Sequence, residues 1–99
     1  MPYLNFDLAE GTDGVWTLDA MASTRVAEHD AVRAEAAAAR AWARRHFPTG
    51  PGPVEDGADW DEDLQVVNEP GGWVTLTLTF SGSDAFAAAF RQAFGDADG

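Results

Sequence analysis

The stretch WVTLTLTF, residues 73–80, sets Val74, Leu76, Leu78 and Phe80 alternately against Trp73, Thr75, Thr77 and Thr79. Side chains on a strand point to opposite faces in turn, so one face here is wholly apolar and the other mostly threonine. No helix can use that pattern. It demands a sheet with one covered face and one face left to water. VWTLDAMA (15–22) alternates in the same way, with Trp16, Leu18 and Ala20 opposed to Val15, Thr17 and Asp19, and YLNFDL (3–8) places Leu4, Phe6 and Leu8 on one side. LQVVN (64–68) precedes the turn EPGG (69–72), and EGTDG (10–14) separates the first two segments. Gly/Pro/Asp-rich turns between alternating runs read as two β-hairpins.

Between the hairpins the period changes. The run AVRAEAAAARAWARR consists of strong helix formers, and a helix is expected from Ser23 or Thr24 to Phe47, capped at its start by one of those hydroxyls. Glu28 and Asp30 near its start and Arg44, Arg45 and His46 near its end complement the helix dipole. Its apolar stripe is Val32, Ala36, Ala39, Ala43 and Phe47, so a neighbour can approach closely. A second helix is expected over 83–94, capped by Ser83, with Phe86, Phe90 and Phe94 as its ridge. Residues 48–62 read as a long Pro/Gly/acidic loop, and 96–99 as a disordered tail behind a single domain of residues 1–95.

The element order ββαββα implies an α+β fold, a four-stranded, mostly antiparallel sheet with both helices on one face. Moving the last strand of a βαββαβ ferredoxin-like fold to the front produces the same order, which suggests a circularly permuted ferredoxin-like sheet of order 1-2-4-3 with a parallel central pair. Two hairpins joined edge to edge by another pairing would satisfy the same pattern. The bare face would carry Tyr3, Asn5, Asp7, Val15, Thr17, Trp73, Thr75, Thr77 and Thr79.

What is missing narrows function more than what is present. No Cys and no Lys occur, which removes thiolate nucleophiles and metal sites, Schiff-base chemistry and the P-loop lysine. The Arg-only, Ala-rich vocabulary suggests a GC-rich bacterial genome. With a net charge of −11 the chain repels nucleic acid and anionic lipid. With no leader-like or membrane-spanning run, a cytoplasmic location is expected.

The candidate site is the acidic run around Trp60. Glu55, Asp56, Asp59, Asp61, Glu62 and Asp63 surround one aromatic with no base among them. Asp59, Asp61 and Asp63 match the first three ligand positions of a calcium loop, but Leu64 stands where the glycine is needed and Pro70 where the bidentate glutamate belongs. A docking loop for a basic protein partner, anchored by Trp60, fits better, with Trp73 on the bare face as a further contact. Homodimerisation through the bare face or an edge strand is also expected. An immunity- or antitoxin-like inhibitor of a basic protein is the alternative, followed by a ligand-binding or catalytic pocket beside the Phe ridge. No cofactor is implied. His29 and His46 lie seventeen positions apart, too far to be ligands on one helical turn, and no glycine elbow surrounds Ser23, Ser81 or Ser83.

Overall fold

The computed structural model describes residues 1–95. The expected tail, 96–99, lies outside the described residues. Four strands, β1 (Asp7–Glu10), β2 (Trp16–Arg25), β3 (Trp60–Glu69) and β4 (Trp73–Gly82), form one open sheet of order β1-β2-β4-β3. The helices are α1 (His29–His46) and α2 (Asp84–Phe94). Strand order and fold class are those expected from the sequence.

The central pair is antiparallel rather than parallel: Trp16 stands opposite Gly82, and Arg25 opposite Trp73. The connectivity explains the correction. A helix crossover returns the chain to the end of the sheet from which β2 started, so β3 runs parallel to β2. β4, the hairpin partner of β3, inserts between them and must oppose both. The shared register shows this, since Trp16 and Trp60 both face Gly82.

Every second residue of β2 and β4 is buried: Leu18, Ala20, Ala22 and Thr24 on one, Val74, Leu76, Leu78 and Phe80 on the other. Val32, Ala36, Ala39 and Ala43 of α1 and Phe86 and Phe90 of α2 join most of these residues in one cluster. Both helices therefore cover the same face. The alanine stripe lets α1 sit low on the sheet, and the rings of α2 fill what remains. Trp42 closes the seam between the helices, meeting Phe90 edge-on at 5.6 Å and Phe94 at 5.4 Å.

Three boundaries differ from expectation. β1 is short because residues 3–6 leave the sheet: the Glu35 carboxylate on α1 accepts hydrogen bonds from the amides of Tyr3 (3.1 Å) and Leu4 (2.9 Å). This clamp tucks Leu4 and Phe6 into the core and takes Tyr3 and Asn5 off the bare face. β2 runs on to Arg25 to match the ten residues of β4, so Ser23 and Thr24 are strand residues and not caps. α1 begins instead at His29 behind a 3-10 turn, without a side-chain cap. Ser83 does cap α2, its hydroxyl accepting from the Phe86 amide at 3.2 Å.

Thr24 is 6 % exposed, and its hydroxyl has no hydrogen-bond partner among the described residues. An unpaired buried hydroxyl forfeits its hydration without return. Thr24→Val keeps the shape and removes that cost, so it should raise stability by about 1 kcal/mol, read from urea unfolding midpoints at unchanged slope. A lower midpoint would show that the hydroxyl is satisfied in solution.

Candidate functional site

The acidic run is loop only as far as Asp59. β3 begins at Trp60 rather than at Leu64, and its residues alternate between the faces of the sheet. Trp60 turns inward and is completely buried. Its ring stacks on Phe86 at 5.7 Å and 8°, meets Phe80 at 5.8 Å, and its indole N–H donates to the Phe47 carbonyl at 2.8 Å. Its side chain cannot be the exposed anchor the sequence suggested. Glu62, on the same face, is held by α1: Arg44 Nη2 donates to it at 2.8 Å and Arg40 Nε donates to its other oxygen. A carboxylate at a core-facing position is tolerable because two guanidiniums satisfy it.

The remaining acids separate. Glu55 and Asp56 sit on a 3-10 turn, and Glu55 lines a cleft of about 620 Å³ with Asp13, Asp84 and Ser83. The connection before β3 is pinned rather than loose: Asp59 N donates to Thr49 O at 2.7 Å, Ser83 N to Asp59 O at 3.0 Å, and Gly52 N to Trp60 O at 3.1 Å. Asp61 and Asp63 point to the bare face. Trp73 lies at the far end of that face, opposite Glu69, eight residues or roughly 26 Å along the strand from Asp61.

On the bare face the register assembles a patch that the linear run did not reveal. One row across the sheet reads Asp7, Asp19, Thr79, Asp63, and the next reads Ala9, Thr17, Ser81, Asp61. Neither row contains a base. Asp19, like Ala9, Ser81, Asp61 and Asp63, was not among the residues expected on this face, although its alternation with Thr17 marked it. Asp7 and Asp19 are direct cross-strand partners, and like charges so placed repel.

The other half of the face is apolar and hydroxylic. Met21 and Val67 are 64 % and 51 % exposed, in rows completed by Thr77, Gln65, Ser23 and Thr75. At its end Arg25 lies over the Trp73 ring at 4.6 Å and donates to Gly71 O at 3.1 Å. Among the described residues no helix or loop covers either half.

No family model, curated protein or solved structure matches the chain.

His46 donates from Nδ1 to Trp42 O at 3.0 Å, and its ring stacks on Trp42 at 4.9 Å, so it closes the last turn of α1. His29 begins the same helix, about 25 Å away by helical rise. Among the described residues no three His, Asp or Glu side chains converge as metal ligands. No helix among them is long and apolar enough to cross a membrane.

Proposed function

We propose that the chain is a small, acidic, non-enzymatic domain that works by protein–protein contact, presenting the bare face of its sheet to a basic protein. One observation supports this reading most strongly: Asp7 and Asp19 directly opposed, with Asp63 completing their row, on a face that no described helix or loop covers. Opposed like charges cost stability, and threonine would serve a merely wetted sheet better. An uncompensated row of carboxylates attracts a cationic surface and accelerates encounter. The neighbouring exposed Met21, Val67 and Trp73 supply apolar area that could hold the partner once it has docked.

The reading separates stability from binding. Asp19→Asn should stabilise the fold by roughly 0.2–1 kcal/mol through relief of the cross-strand repulsion, and together with Asp63→Asn should weaken retention of basic proteins from a native lysate. Glu55→Gln with Asp56→Asn, away from the face, is the matched control. Retention should be strongest at low salt and lost at high salt, where exposed charges are screened. Equal retention by the two double variants would remove the acidic face from the function.

A further inference from the structure

A second surface lies on the opposite side of β3. Among the described residues that strand pairs only with β4, so its outer edge is open over part of its ten residues. In an antiparallel ladder alternate residues turn both backbone groups outward. Here these are the even positions, since Trp60 O accepts from Gly52 and Glu62 N donates to the Asp61 carboxylate at 2.9 Å, both outside the ladder. The first half of the edge is thus closed by the preceding loop and by a neighbouring side chain. Leu64, Val66 and Asn68 follow with no such cover, their amides and carbonyls facing outward.

The even side chains of this strand face α1, yet Leu64 and Val66 remain 38 % and 43 % exposed. They form one wall of a groove of about 130 Å³, with Ala36 and Ala37 of α1 opposite and Arg33 and Arg40 at its rim. The space suits one branched aliphatic side chain. Arg40 is committed to Glu62, whereas Arg33 has no ion pair among the described residues. Around the groove, Arg33, Arg40 and Arg44 face the single carboxylate of Glu62, so this strip is locally positive on a chain of net charge −11. Screening over about 8 Å at physiological ionic strength lets the nearby guanidinium decide the local preference.

We infer that this groove is a strand-addition site: an extended peptide pairs with Leu64, Val66 and Asn68, inserts an aliphatic side chain against Leu64 and Val66, and sets a carboxylate two residues away on Arg33. Backbone pairing gives such a site its affinity, and alternate side chains give its preference. The site is distinct from the acidic face, so either can fail without the other.

The test is titration of ¹⁵N-labelled protein with the end-blocked heptapeptide TVTETVT and its charge-reversed counterpart TVTKTVT. Shift changes should centre on the amides of Leu64, Val66 and Asn68, and the glutamate peptide should bind about tenfold more tightly. Arg33→Glu, on the solvent side of α1, should invert that preference without loss of fold. Val66→Pro removes an outward N–H that β4 does not use and should abolish binding by both peptides. Shifts elsewhere, or identical binding of the two peptides to both charge forms, would overturn the inference. Concentration-dependent protection of the same amides in the free protein, with a dimer in sedimentation, would overturn it by assigning the edge to a second copy of the chain.

Discussion

Trp60→Ala should cost about 3–5 kcal/mol of folding stability, because it empties a fully buried corner of the core. The lost indole is fully buried, stacks on Phe86, meets Phe80 and satisfies the Phe47 carbonyl at the end of α1. Its removal leaves a cavity lined by aromatic rings and an unpaired acceptor at the point where the helix hands over to the connection into β3. A domain of this size has about 5–15 kcal/mol in total, so the variant should be marginal at 37 °C. Trp60→Phe keeps most of the stacking and loses the hydrogen bond, and should fall between the two, at about 1–2 kcal/mol. Chemical unfolding of the three proteins orders them directly. A Trp60→Ala protein as stable as the parent would mean that the ring is not in the core.

The second large effect concerns the glycines that make room for this stack. A Cβ on Gly82 would lie 2.5 Å from the Phe86 ring and 3.0 Å from its Cβ. One on Gly50 would meet Trp60 at 2.5 Å on Nε1 and 2.8 Å on its carbonyl oxygen. Neither neighbour can retreat, since the two rings are wedged against each other and against Phe80. Gly82→Ala and Gly50→Ala should each destabilise by about 1–3 kcal/mol, or roughly 4–8 °C of Tm per kcal/mol. Gly52→Ala is the contrast, because its Cβ would meet Ala58 at an ordinary 3.5 Å. It should be neutral or stabilising by up to about 1 kcal/mol. Equal Tm values for all three variants would show that the glycines are not packing sites.

The legible part of the fold was its periodicity. Val74 to Phe80 and Leu18 to Ala22 alternate cleanly, the alanine stripe of α1 is buried as spaced, Phe86 and Phe90 of α2 are buried with Phe94 half-buried beside them, and the strand order 1-2-4-3 is one of the pairings this pattern allows. The illegible part was local ambiguity resolved by long-range contacts. Ser23 and Thr24 suit a helix cap or a strand, and only the length of β4 makes them strand residues. Glu62 interrupts the apolar face of β3 because Arg40 and Arg44, some twenty positions earlier, neutralise it. That single carboxylate disguised Trp60 as the end of a loop, whereas Leu64 and Val66 were legible as strand residues. The acidic character of the site was legible in Asp61 and Asp63. Their true neighbours, Asp7 and Asp19, come from the first hairpin and are joined to them only by sheet register.

The central claim, that the bare sheet face is the surface on which this domain meets its partner, has a direct test. A photo-reactive benzoylphenylalanine is placed at Thr77 or Thr79, in the middle strand of that face, and at Arg45 on α1 as the control, and adducts are collected in cells that produce the protein natively. Adducts to one basic protein from positions 77 and 79, absent from position 45 and lost with Asp19→Asn and Asp63→Asn, are the expected result. Adducts from position 45 alone, or bare-face adducts indifferent to those two substitutions, would contradict it.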